Sequence, residues 1–163
     1  MGRSVFWSWL ARPAHPAVRS LAMRDAPRVA AIHAEGFHHG WSVPDIEAML
    51  ADTAILGLGV GRGRALEGFV LSRRAADEAE ILTIAVATGA RRSGLGLALL
   101  LAHLAQLASH GVRALFLEVD EANSAARSLY ASLDFKEVGR RNAYYRRPDG
   151  SRATALVLRK ELA

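Results

Sequence analysis

Ile81-Leu82-Thr83-Ile84-Ala85-Val86-Ala87-Thr88-Gly89-Ala90-Arg91-Arg92-Ser93-Gly94-Leu95-Gly96-Leu97 is the stretch from which the rest of this chain can be read. Ile81 to Ala87 is an apolar run of strand length, and Leu97 to Ser109 is a Leu/Ala stretch of helical composition. Between them lies the glycine-rich hexapeptide Arg91 to Gly96. A strand that turns into a helix brings unpaired backbone N–H groups and the positive end of the helix dipole to one point, which suits a phosphate. Arg91, Arg92, Ser93, Gly94, Leu95, Gly96 and Leu97 are therefore candidate phosphate-binding residues. A nucleotide-hydrolysing loop would continue Gly-Lys-Ser/Thr, whereas Gly96 is followed by Leu97 and Ala98. A dinucleotide fingerprint would need a third glycine, which is missing, although Glu118 falls near the expected acidic offset. Two guanidinium groups suit a ligand that carries its own pyrophosphate, because each pairs bidentately with phosphate oxygens. An ordinary turn with two solvated arginines remains the alternative on these six residues alone.

The chain has 163 residues, 51% of them hydrophobic, enough for one substantial core and too few to expect two domains. It has no cysteine, which removes a disulfide framework, a thiolate nucleophile and a Cys-based zinc site, and fits a reducing cytoplasm. Leu95 to Leu107, the longest apolar stretch, is interrupted by His103 and Gln106 and falls short of the roughly 20 residues of a membrane span. A cytoplasmic protein without a membrane span is expected. The net charge of +5 comes mainly from arginine, but the pairs Arg73-Arg74, Arg91-Arg92, Arg140-Arg141 and Arg146-Arg147 are scattered among turns. A nucleic-acid protein would gather them in a stripe interleaved with aromatics, so nucleic acid is not expected as the principal ligand. His33, His38 and His39 lack a further partner at metal-ligand spacing, and no metal is expected. Residues 1–16 read as a poorly ordered extension whose Trp7 and Trp9 pack on a partner or on the domain, with the domain proper over 17–163.

The pattern predicts a strand over Ala17 to Met23, then a helix capped by Asp25 and running to Glu35. Ser42 and Asp45 form a capping box for a second helix, Pro44 to Asp52. Thr53 to Val60 and Ala65 to Ser72 flank a Gly61-Arg62-Gly63-Arg64 turn as a hairpin. Leu97, Leu100, Leu101, Leu104 and Leu107 are predicted to line the core face of the long helix, which ends at Gly111. A strand over Val112 to Val119, a helix over Asn123 to Leu133, and strands over Glu137 to Tyr145 and Thr154 to Lys160 follow, the last two joined across Pro148-Asp149-Gly150. The order β-α-α-β-β-β-α-β-α-β-β has too many hairpins for a doubly wound sheet. It predicts a mixed α/β domain, a mainly antiparallel sheet with helices on both faces.

Arg91-x-x-Gly94-x-Gly96 resembles the acetyl-CoA signature of the GNAT N-acetyltransferases. The downstream block Leu117-Glu118-Val119, Asn123-Ser124-Ala125-Ala126, Leu129-Tyr130 and Leu133-Asp134-Phe135 is similar, at matching spacing, to that of the RimI-type enzymes, which acetylate protein N-termini. Trp41-Ser42, Arg140-Arg141 with Tyr144-Tyr145, and Asp149-Gly150 are weaker echoes. The likeness spans about residues 17 to 160. Asp134 stands where the family usually has glycine, at a position after a helix that requires a left-handed backbone, which Asp tolerates at modest cost.

The resemblance implies acetyl-CoA as donor, with Ile84, Ala85 and Val86 offering backbone groups to its pantetheine arm and Asn123 helping to hold it. Asn123 is also a natural N-cap. Acetyl transfer to an amine needs a base for the ammonium and a proton for the departing thiolate. Glu118, near the end of its strand, is the candidate base, and Tyr130 the candidate acid. A free tyrosine at about 10 is a weaker acid than a thiol at about 8.5, an uphill step of about 2 kcal/mol. An α-amine near 7.8 is deprotonated at roughly 3.5 kcal/mol less cost than a lysine near 10.4, which favours a protein N-terminus, in the family often that of a ribosomal protein, for a weakly basic carboxylate. Acetylation of a lysine or small-molecule amine, and a silent acetyl-CoA-sensing module, are the alternatives. A monomer or weak dimer is expected.

Overall fold

A computed structural model describes residues 15–162 of the chain. The expectation for the N-terminal extension falls, apart from its last two residues, on 1–14, outside the described residues. β1 (Ala17–Ser20), β2 (Ile55–Gly61), β3 (Gly68–Ala75), β4 (Glu78–Val86), β5 (Ala114–Asp120), β6 (Lys136–Arg146) and β7 (Arg152–Glu161) form one sheet. Their spatial order is β1, β2, β3, β4, β5, β7, β6. Every neighbouring pair is antiparallel except β4 with β5. A parallel pair requires a crossover, and here it is α3 (Leu95–Ser109). The helices are α1 (Ala26–Gly36), α2 (Val43–Ala51), α3 and α4 (Ser124–Ser132), in the order predicted.

The composition of β2, Ile-Leu-Gly-Leu-Gly-Val-Gly, shows how the two faces are filled. Leu56, Leu58 and Val60 are buried on one side. On the other, a Cβ on Gly57 would lie 2.8 Å from Leu71 Cδ2 and 3.4 Å from Leu50 Cδ2 of α2, and one on Gly59 would lie 2.4 Å from Leu66 Cδ1. The glycines make room for the α1–α2 layer. Ser72, adjacent to Leu71 and so on the opposite face of β3, hydrogen-bonds His103 of α3 at 2.6 Å. Helices thus cover both faces.

Some boundaries differ from the sequence reading, for local reasons. β1 stops at Ser20 because the chain turns into a short 3₁₀ segment, Met23–Asp25. The Asp25 side chain does not cap α1. It accepts two hydrogen bonds from Arg19, both 2.8 Å, and one from the Ala22 N–H, which together hold its pKa below the usual carboxylate range. The capping box is present, with Ser42 N–H donating to Asp45 at 2.8 Å. β3 begins at Gly68 rather than Ala65, because Glu67 belongs to the turn: its N–H donates to Val60 O, and its carboxylate accepts from Arg62 N–H.

The core face of α3 is corrected. Leu95, Leu99, Leu100, His103, Leu104 and Leu107 are buried, whereas Leu97 is 40% and Leu101 51% exposed. The helix also starts two residues earlier than predicted, because Gly94, at φ 82, reverses the chain and leaves Leu95 and Gly96 in the first turn. Its C-terminus at Gly111, φ 80, is a Schellman closure: Gly111 N–H donates to Ala108 O and Val112 N–H to Leu107 O.

His103 is fully buried, with its Nε2 on Ser72, and burial pushes its pKa down to about 4. Between the free-histidine value and about 4, the unfolded chain binds a proton that the folded chain refuses, so stability falls with pH. This contribution is complete above about pH 6.5 and amounts to about 3 kcal/mol lost by pH 4. In urea unfolding over that range, the double variant His103→Leu/Ser72→Ala is expected to lose stability less steeply than the parent by about that amount. An unchanged pH slope would show that His103 is not the titrating group.

Candidate active site

The site begins where the parallel pair comes apart. β4 and β5 are in register only at Glu78–Ala114, Ala79–Leu115 and Glu80–Phe116. On its other edge β4 carries a bulge: Leu71 of β3 pairs with Thr83 and Ser72 with Ile81, so Leu82 is the extra residue. A bulge bends its strand, and beyond it β4 and β5 separate. The gap is a cleft of about 860 Å³ lined by Ile84, Ala85 and Val86 from β4, Leu117 to Asp120 from β5, Gly96 from α3, and Asn123, Ala126, Leu129 and Tyr130 from the start and body of α4. Both helices that follow the parting strands therefore begin at the cleft, the arrangement in which open α/β sheets bind ligands.

Along the turn, Arg92 has φ 57 and Gly94 φ 82. The first hydrogen bond of α3 runs from Ala98 N–H to Gly94 O, so the N–H groups of Leu95, Gly96 and Leu97 precede the intrahelical ladder. Arg91 Nε donates to Val86 O at 3.0 Å, tying the turn to the end of β4, and the Ser93 hydroxyl donates to Ala90 O. Of the predicted phosphate residues, Gly96 lines the cleft; Arg91 to Leu95 and Leu97 do not. Leu95 is a core residue, and the exposed guanidinium groups of Arg91 and Arg92 flank the turn outside the cleft lining.

Glu118 and Tyr130 both line the cleft. Glu118, on β5, is 18% exposed and takes an ion pair from Arg141 Nε at 3.0 Å. Arg141 reaches it from β6 across β7, and its guanidinium also lies 5.1 Å from the centre of the Tyr144 ring. β6 bulges here, with three residues between Arg141 and Tyr145 facing one on β7, and Ala143 at φ 55. Tyr144 lines the same cleft. Nothing local in the sequence marks the Arg141–Glu118 contact, since its partners lie on strands separated by a third.

Tyr130 is buried, and burial pushes its phenol up to about 12, so it is protonated at neutral pH. Its position is set by the end of α4. Phe135 N–H donates to Tyr130 O and Asp134 N–H to Ala131 O, both at 3.1 Å, a second Schellman closure. The Phe135 ring meets the Tyr130 ring edge-on at 5.5 Å. Asp134 has φ 63, the left-handed backbone expected where it replaces glycine. Asn123 caps α4, its Oδ1 accepting from Ala126 N–H at 3.1 Å; its side-chain nitrogen takes no part in the cap.

At the other end of the cleft lining are Phe37 and Trp41, from the loop between α1 and α2. His33 of α1 stacks between them, 4.3 Å from Phe37 and 4.7 Å from Trp41, and its Nδ1 accepts from Trp41 N–H at 3.3 Å. Burial lowers the His33 pKa, which keeps the ring neutral and able to accept. His38 and His39 are exposed, and among the described residues no group of three or more His, Asp or Glu gathers as a metal site would require.

The model of the acetyltransferase (GNAT) family matches residues 16–135. The chain belongs to that family. It is 34% identical over 143 residues to the ribosomal protein bS18-alanine N-acetyltransferase of Escherichia coli K12, an alignment covering 86% of this chain and 94% of the relative. It is 41% identical over 91 residues to the enzyme of the same name from Haemophilus influenzae, covering 56% of this chain and 62% of that relative's length. The crystal structure of the ribosomal-protein-S18-alanine N-acetyltransferase from E. coli superposes with a TM-score of 0.85 at 30% identity, over 91% of this chain and 94% of that one. With the family comes its donor, acetyl-CoA, and the residues present fit it. The turn and the start of α3 offer N–H donors and two guanidinium groups to a diphosphate, and the unpaired edge of β4 offers backbone groups to an amide-bearing arm.

Two substitutions test the supports of this site. Asp134→Gly is expected to stabilise the protein by up to about 1 kcal/mol in chemical unfolding, by relieving the left-handed strain at Tyr130's anchor. Asn123→Ala is expected to cost about 1 kcal/mol through the lost cap, whereas Asn123→Asp retains the cap and the stability. A donor KM raised in both Asn123 variants would assign the lost affinity to the amide nitrogen rather than to the helix.

Proposed function

We propose that this protein transfers the acetyl group of acetyl-CoA to the α-amine of a protein N-terminus, with Glu118 as base and Tyr130 as acid. One observation carries this reading: the carboxylate and the protonated phenol line a single cleft whose lining also includes Gly96, in the first turn of α3. The likeness to bS18-alanine N-acetyltransferase along 94% of the E. coli relative supports a ribosomal protein terminus over a small amine. Such an acceptor and donor meet in the cytoplasm, and no helix among the described residues is long and apolar enough to cross a membrane. The domain over 17–163 acts as a monomer or weak dimer.

Glu118 takes a proton from the acceptor ammonium, directly or through water, and a terminal amine near 7.8 suits so weak a base. Tyr130 offers its proton to the departing thiolate. Set against a free thiol at about 8.5, a phenol near 12 makes full transfer uphill by about 5 kcal/mol. The burial that raises Tyr130 also raises a thiol beside it, so the two approach each other, and a hydrogen bond to the developing thiolate supplies part of the remainder. Arg141 pairs with Glu118 at 3.0 Å from an exposed position, where an arriving ammonium can take its place.

Peptides beginning with alanine are expected to be acetylated far faster than the same peptides with a blocked terminus and a free lysine. Glu118→Gln and Tyr130→Phe should each lower kcat about 100-fold or more while calorimetry still detects acetyl-CoA binding. If both variants turned over at the parent rate, the assignment of base and acid would be wrong.

A further inference from the structure

We propose that Arg62, on the turn between β2 and β3, is a third cationic residue of the donor's phosphate site; this rests on the reading of the α3 start as the acetyl-CoA diphosphate site. Arg62 Nη2 donates to Ser93 O at 3.1 Å, across 31 residues of sequence. Ser93 sits between the two left-handed residues of the glycine-rich turn, Arg92 and Gly94. Its carbonyl is the negative end of a peptide dipole beside a site that is to hold an anion. Arg62 covers that carbonyl with one N–H and brings a full positive charge to the turn. A guanidinium has five donors, so the others remain for phosphate oxygens.

The turn that presents Arg62 is built to hold it still. A Cβ on Gly61 would lie 1.7 Å from Ala65 O, so that position requires glycine, and Gly63 has φ +67, where glycine is free of strain. Arg62 N–H donates to Glu67 Oε2 at 3.0 Å, and Glu67 N–H to Val60 O at 2.9 Å. Ala87 N–H, at the end of β4, donates to Glu67 O at 2.7 Å, and Arg28 Nε of α1 donates to Leu66 O at 3.0 Å. The hairpin turn is thereby fastened to β2, to the strand that enters the phosphate turn, and to α1. Among the described residues Arg62 forms no ion pair with a carboxylate, so its charge is not neutralised within the chain. A guanidinium fixed in this way binds an anion without first losing the freedom of a mobile side chain.

The test compares the parent protein with Arg62→Ala and Arg62→Gln, using CoA in calorimetry, and acetyl-CoA or S-acetylpantetheine, which lacks every phosphate, in steady-state assays. Both variants are expected to bind CoA about tenfold more weakly, as loss of one charge-assisted phosphate contact predicts. The corresponding loss in kcat/KM should fall on the KM for acetyl-CoA, with the KM for the acceptor peptide and the kcat/KM for S-acetylpantetheine unmoved. An equal loss with both donors would make Arg62 a fold residue and overturn the inference, as would CoA affinity equal to the parent's in Arg62→Gln. Failure of the parent itself to bind CoA would overturn the donor-site reading as well, an outcome separate from any behaviour of the variants.

Discussion

Everything the site contains is placed by the failure of one pair of parallel strands to stay together. β4 and β5 share three register positions and then part, and the bulge at Leu82 bends β4 at the place where the parting starts. Had they stayed paired, Glu118 would sit in an uninterrupted sheet and α4 would have no gap to enter. An open sheet edge inside a fold leaves backbone donors and acceptors in need of partners. In the proposed reaction an extended arm with amide groups would meet that need, pairing with the free edge of β4 much as a strand does. The two helices that follow the parting strands then deliver their N-termini to the mouth of the gap, α3 through a glycine-rich turn and α4 through Asn123.

Local features were legible in the sequence, and their legibility has a physical basis. The turn from Arg91 to Gly96, the Ser42–Asp45 box, the Gly111 stop and the left-handed demand at Asp134 each depend on residues within a few positions of one another. The order of elements followed from the same punctuation. What could not be read locally was the face that α3 turns inward. Leucine occupies positions 95, 97, 99, 100, 101, 104 and 107, so the apolar pattern fits more than one stripe, and the choice is made by the sheet beneath. Ser72 marks the buried stripe, because its hydroxyl pairs with His103 of α3 at 2.6 Å. The contact from Arg141 to Glu118 was hidden for a similar reason. It spans β7, and only the strand order reveals that β6 lies within reach of β5.

Burial acts in opposite senses on the titratable groups it touches, and the fold uses both. His33 and His103 are bases, so loss of water keeps them neutral, one as an acceptor that shapes the loop at the cleft and the other as a core residue beneath α3. Tyr130 is an acid, so the same loss keeps its proton in place. In the proposed reaction a tyrosine in water would be the stronger acid, yet it would also face a solvated thiolate with little need of it. Enclosure weakens the acid and strengthens the demand for its hydrogen bond together.

Glu118 stands apart from these groups because it keeps a cation beside it. The pair with Arg141 is not a buried bridge of the kind that resists opening: the guanidinium side chain is 55% exposed, and water screens it. An arginine locked to Glu118 within the core would resist displacement, and without an arginine the carboxylate would stand unpaired at the edge of an apolar cleft. An exposed arginine avoids both outcomes. In the proposed reaction an arriving ammonium, carrying the same charge, takes its place beside Glu118. The weakness of the ion pair is therefore what makes it compatible with the proposed role of Glu118, and the bulge in β6 lies where Arg141 and Tyr144 come together beside it.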